Sequence, residues 1–147
     1  MSAWRRKAIA LFPEHRPALG GPTYRLADLF QDLLSDIKRA HAAEEVDPAA
    51  RSTLQRVHGF AEWCLRQGGE LWNDAAIGFY EDLLNGSGVP WDLIVPWLSP
   101  YTAAEIEGTW ALGVRGERAP RFRELLRTRH RNEYLTHVAA TGEIDSL

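Results

Sequence analysis

His58 and Glu62 stand four residues apart, so on a helix they project from neighbouring turns of one face. Such a pair can share a proton or offer two ligands to a metal ion. A zinc site needs three or four ligands, and the His-Glu-x-x-His pattern is absent. We therefore assign no metal and expect an ion pair at the edge of the apolar stripe. Asp74 and Glu81 are seven residues apart, two turns along one helical line, with Gly78 leaving a gap between them. They could form a small acidic groove for a cation or a basic partner. Glycoside-type hydrolysis requires one carboxyl held neutral in an apolar setting. An outward-facing pair lacks that setting, so a solvated face is expected.

Asn73 falls on the flank of an apolar face. It could address a pocket, but the expectation is an N-cap, with Trp72 and Ile77 closing a hydrophobic staple. On that basis Asn73→Ala should cost about 1 kcal/mol. Cys64, the chain's one cysteine, lies on an apolar stripe and reads as a buried, inert thiol. Trp63 falls opposite that stripe, near Arg56 and Arg66, either packed beneath another helix or at an interface, where Trp and Arg are enriched. No residue is assigned a catalytic role and no cofactor is implied.

A second kind of chemistry lies in residues 115–131, which carry seven arginines against two glutamates, a net +5. Arg123, Arg127 and Arg131 form an i, i+4, i+8 ridge, joined by Arg115, Arg118 and Arg121 from the entering loop. Such a ridge can engage phosphates or form forked pairs with carboxylates. The whole chain is acidic, at −3 with a pI near 5.9, and the ridge has no interleaved aromatics. Both features disfavour nucleic acid. Within the chain, the acidic stripe Asp28, Asp32 and Asp36 could itself face the ridge.

These groups must be positioned by helices. Trp4, Ala8 and Leu11 recur at helical spacing, and Phe12-Pro13 ends that first helix before the turn "PALGGP". Thr23 is the expected cap of a helix reaching His41, with Leu26, Leu29, Phe30, Leu33, Leu34 and Ile37 on one face. Asp47-Pro48 starts the next helix and Gly68-Gly69 stops it. A helix over 71–84 follows, then a proline-punctuated segment with one or two turns. Another helix is expected near 102–112, capped by Thr102, and a last one runs from Pro120 through the arginines toward Ala140. No alternating β-branched run appears. We therefore expect an all-α protein: one compact domain over 1–147, five to seven helices and no sheet. Residues 1–20 form its first helix and turn, and 141–147 a frayed tail.

The stretch "FAEWCLRQGGELWNDAAIGFYEDLL", with "PWLSP" after it and "LFPEHR" near the N-terminus, resembles a family of small all-helical bacterial proteins of unknown function. The matching positions are Trp63-Cys64, Asn73, Phe79-Tyr80-Glu81 and Trp97-Leu98-Ser99, about a third of the chain; Asp74 departs from it, where the family has alanine. The resemblance implies an all-helical fold and no known activity.

At 147 residues a chain buries roughly 70% of its unfolded surface, enough for a core without disulfides or metals. The positive N-terminal stretch has a short apolar run broken by proline, so no secretory leader is expected. Nothing approaches the roughly 20 apolar residues of a membrane span, and a cytoplasmic location is expected. Together these features point to a non-enzymatic binding module that recognises another protein, with an immunity-type or regulatory inhibitor as the class. Its candidate contacts are the arginine ridge and Trp63, then the Asp74/Glu81 face. The alternative is an enzyme or small-ligand binder with a pocket near Trp63, Trp72, Tyr80 and Trp97, using His58, Glu62 or Asn73 as polar groups. Weak nucleic-acid binding through the last helix is the third reading. Oligomeric state is left open.

Overall fold

The computed structural model describes residues 1–110, 120–122 and 124–125. Among these residues there are eight α-helices and no strand. The count exceeds the expected five to seven because three single-turn helices join the longer ones. Helix α1 (Ala3–Leu11) ends at Phe12, and a 3-10 turn (Pro13–His15) leads into α2 (Arg16–Leu19). The stretch expected as an open turn is thus partly helical, with proline in its first turn where the missing N–H is harmless.

Helix α3 (Leu26–Ala43) begins two residues later than expected. Its N-cap is Arg25, whose backbone N–H donates to the Asp28 carboxylate at 2.8 Å, while Thr23 is exposed. The expected face is buried throughout and extends to Ala40 and His41. Helix α4 (Pro48–Gln67) is capped by Asp47, whose carboxylate accepts from the Ala49 N–H at 2.9 Å. It stops at Gly68, with φ of 74°, a conformation that favours glycine.

Residues 57–62 of α4 are all buried, so the middle of this helix is covered on every side, while Arg51, Ser52, Arg66 and Gln67 nearer its ends are exposed. A helix buried all round belongs at the centre of its fold. Around it Phe12, Phe60, Phe30 and Phe79 form a continuous ring-to-ring path, with centroids 5.6, 5.8 and 5.5 Å apart. These separations are within the favourable range for aromatic pairs.

The expected helix over 71–84 is built in three consecutive pieces: α5 (Gly69–Ala75), a π-helical turn (Ala76–Glu81) and α6 (Asp82–Asn85). Ala75 and Ala76, Phe79 and Tyr80, Leu83 and Leu84 are buried as successive pairs. A strict 3.6-residue helix would rotate such a four-residue repeat away from the core. The wider i→i+5 turn keeps the pairs facing inward. Helix α7 (Trp91–Ile94) and a 3-10 turn (Val95–Trp97) follow, then α8, described over Pro100–Trp110. Its cap is Ser99 rather than Thr102: the Ser99 hydroxyl accepts from the Thr102 N–H at 3.1 Å, and Pro100 takes the first helical position. Residues 120–122 and 124–125 are helical, and Phe122 packs its ring 5.0 Å from Trp91. The rest of the expected last helix and the tail lie outside the described residues.

Candidate functional site

The all-round burial of α4 changes what His58 and Glu62 can do. The expected ion pair at the edge of the stripe is corrected: His58 is 1% exposed and Glu62 4%. Their bonds run to other groups. His58 Nε2 meets His41 Nε2, from α3, at 3.2 Å. His41 Nδ1 in turn lies 3.4 Å from Glu44 Oε2, and the other Glu44 oxygen accepts from the Trp97 indole N–H at 3.2 Å. Trp97 completes the circuit by stacking on His58, with centroids 5.9 Å apart and planes 9° from parallel. Phe79 closes another side of His58, edge-on at 6.0 Å.

Burial disfavours the charged form of both rings. It lowers the His41 pKa to about 4 and, together with the neighbouring His41, holds His58 well below its ordinary value. Both are neutral at pH 7, and neither behaves as a surface-accessible base.

Glu62 belongs to a second buried group. Its Oε1 accepts from the Thr102 hydroxyl at 2.7 Å, and Arg66 approaches Oε2 at 3.5 Å from the adjoining turn. Tyr80, fully enclosed beside it, has its phenol raised well above the ordinary value by burial and by the Glu62 charge, with Thr102 opposing through a hydrogen bond. The Ser99–Thr102–Glu62 chain therefore fastens the start of α8 to the central helix.

The space beside these groups is filled. Leu65, Trp72, Ala76, Tyr80, Glu105 and Ile106 enclose a cavity of only about 10 Å³, about one water at most. Trp97 is 1% exposed. Among the described residues, no cluster of three or more His, Cys, Asp and Glu side chains could hold a metal ion. Cys64 is buried, and burial and then the Asp74 charge push its thiol up, against the pull of Lys7. That thiol is a poor nucleophile.

Trp63 leaves the apolar stripe because α1 covers that side of α4. It stacks on Phe60 at 6.2 Å, and the Lys7 ammonium sits 4.9 Å from its ring centroid. Asn73 is exposed within α5, whose N-cap is Gly68, so the expected N-cap is corrected. With no cap to lose, Asn73→Ala should change stability by less than about 0.5 kcal/mol, measured by urea unfolding of the full chain. Asp74 and Glu81 are partly buried, and a Cβ at Gly78 would meet nothing within 4 Å, so the notch between them is open. Burial, and then Glu70, raise the Asp74 pKa, with Arg25 opposing.

The surface carries two open clefts. One, of about 510 Å³, lies among Glu14, His15, Asp36, Arg39, Asp47 and Thr53. The other, of about 570 Å³, lies beside Trp91, Asp92 and Arg121. Arg121 is exposed; Arg115, Arg118, Arg123, Arg127 and Arg131 lie outside the described residues. Local partners engage the acidic stripe: Asp28 takes the Arg25 backbone, Asp32 the Tyr24 hydroxyl, and Asp36 both His15 at 2.9 Å and Arg39 at 2.6 Å.

Residue type and spacing do not single out His41, Glu44, Ser99 and Thr102 as members of a site. For His41 a signal is present: it follows Ile37 by one turn, on the apolar face of α3. Comparison with known protein families, curated proteins and solved structures returns no match for this chain.

Proposed function

We propose that the protein is a non-enzymatic binding module that recognises another protein through its charged surface. The observation that carries this is the closed interior. Trp72, Tyr80 and Trp97, candidates for lining a pocket, leave a cavity of about 10 Å³ between Trp72 and Tyr80. Drug-sized ligand sites need several hundred Å³, and the two clefts of that size lie open on the surface, with charged residues in their walls. Of the polar groups offered to that pocket, His58 and Glu62 are committed to His41 and Thr102, and Asn73 is exposed. The chemistry left for recognition is charge, and the strongest concentration is the net +5 of residues 115–131, set against a −5 over residues 1–114.

Arginine forks on a partner's carboxylates match that surface better than phosphate contacts, because the overall charge of −3 works against a nucleic acid. A regulatory or immunity-type inhibitor is the class we place it in, by analogy of size and charge alone. The resemblance to small helical bacterial proteins rests on its sequence motifs alone. No helix among the described residues is long and apolar enough to cross a membrane.

The test is a paired pull-down from the native host, using the wild-type chain and the triple variant Arg123→Glu, Arg127→Glu, Arg131→Glu as baits. We expect the wild type to retain a protein that the variant loses, with both baits melting at similar temperatures. Retrieval of the same partner by both would remove the arginine ridge as the contact surface.

A further inference from the structure

The circuit of His41, His58, Trp97 and Glu44 has one loose end: His58 Nδ1 is buried without a hydrogen-bond partner. The chemistry of the other three members explains which kind of nitrogen it is. A carboxylate only accepts, so Glu44 requires the proton of neutral His41 to sit on Nδ1. His41 Nε2 is then a lone pair, and the 3.2 Å contact requires His58 Nε2 to donate to it. The His58 proton is thereby used, and its Nδ1 is left as a bare acceptor among the His41, Phe79 and Trp97 rings.

A second proton on either ring disturbs the circuit. A proton on His41 Nε2 would face the His58 N–H head to head or drive that proton to His58 Nδ1, where nothing accepts it. A proton on His58 Nδ1 would create a buried cation with no acceptor. We propose that this circuit is a proton-released clasp, which holds the 91–106 segment against α3 and α4 at neutral pH and lets it go in mild acid. Trp97 is the part of that segment the clasp grips.

Other charged groups near the circuit act on it from several elements. Glu44, in the turn after α3, attracts a charge on His41, but from the Nδ1 side, where it leaves the head-to-head clash untouched. Arg51 of α4 lies 5.8 Å over the Trp97 ring and opposes a second cation. Glu62, one turn along α4 from His58, has the Thr102 hydroxyl and Arg66 on its oxygens. Tyr80, beside Phe79 on the π-helical turn, stays neutral across this range.

The sign follows from the depressed basicity of the closed state. Well above pH 6.5 closed and open states are both neutral, and the clasp is at full strength. As pH falls from 6.5 toward 4 only the open state gains protons, so opening is favoured progressively. For His41 alone, a closed-state value of about 4 against an ordinary 6.5 gives roughly thirtyfold easier opening at pH 5.

Two measurements on the full chain decide it. Nitrogen-15 NMR at pH 7.5 should find the proton of His41 on Nδ1 and that of His58 on Nε2. A proton on His58 Nδ1, or an imidazolium at either position by pH 6, overturns the proposal. Amide hydrogen exchange at pH 7.5 and pH 5, corrected for the intrinsic rate, should show protection over 91–106 falling at least tenfold more than over 54–65. An equal fall in both segments overturns it, because the loss would then be global. The double variant His41→Phe, His58→Phe keeps two rings in the box without a titrating group, and we expect it to abolish most of the difference. Should that variant fail to fold, the wild-type tautomers and exchange still decide between a clasp and a static core.

Discussion

Trp97→Ala should destabilise the chain by about 3–5 kcal/mol, the range for deleting a fully buried large aromatic. The side chain is 1% exposed and lies parallel to His58. Its removal opens a void beside the buried histidines and takes the indole N–H donor from Glu44. Trp97→Phe separates these contributions. It keeps a stacking ring and loses the donor, so a smaller cost of about 1–2 kcal/mol is expected. Urea unfolding at pH 7.5 measures both. An alanine variant within about 1 kcal/mol of wild type would mean that the 91–106 segment contributes little to the fold.

The second large effect concerns Glu62 and Thr102, which join the central helix to α8. Thr102→Val preserves shape and deletes the donor, leaving a buried carboxylate one bond short. We expect a loss of about 1–3 kcal/mol. In a Glu62→Leu background the same change should cost much less, because no carboxylate remains to satisfy. The coupling from the double-mutant cycle should reach about 1 kcal/mol, within the range for residues in contact. If the two single costs simply add, the bond is geometric only, and α8 is held by packing of Ala103 and Ile106.

The long helices are legible in the sequence because their signals are local. Asp47-Pro48 and Gly68 mark α4 by capping chemistry, and six apolar residues at helical spacing mark α3. The departures from expectation have a common physical source. The periodicity of α4 displays a single apolar stripe, whereas its central position buries every side of residues 57–62. His58, Glu62 and Trp63 therefore look marginal by spacing when they are interior or covered. Asn73 and Thr102 have the residue types of caps, but Gly68 and Ser99 occupy those positions. Cap choice depends on where the chain turns, and that turn is set by tertiary packing. The π-helical turn leaves a trace in the paired spacing of residues 75–76, 79–80 and 83–84. A 3.6-residue template does not see it.

The candidate site divides in the same way. The circuit around His58 needs residues from α3, the following turn, α4 and the 3-10 turn, spread from position 41 to 97. No spacing rule links them. The arginine ridge is the opposite case: it is visible as a run of charge, and the role we propose for it depends on a surface outside this chain.

The central claim is that recognition belongs to the charged surface and structure to the aromatic interior. Its most direct test is amide hydrogen exchange of the chain with and without the partner retrieved from the host. We expect exchange to slow within residues 115–131 and to stay unchanged at 58–62, 72–80 and 97–102. Slowing concentrated in those interior segments, with 115–131 unaffected, would contradict the claim and place the binding site in the aromatic core.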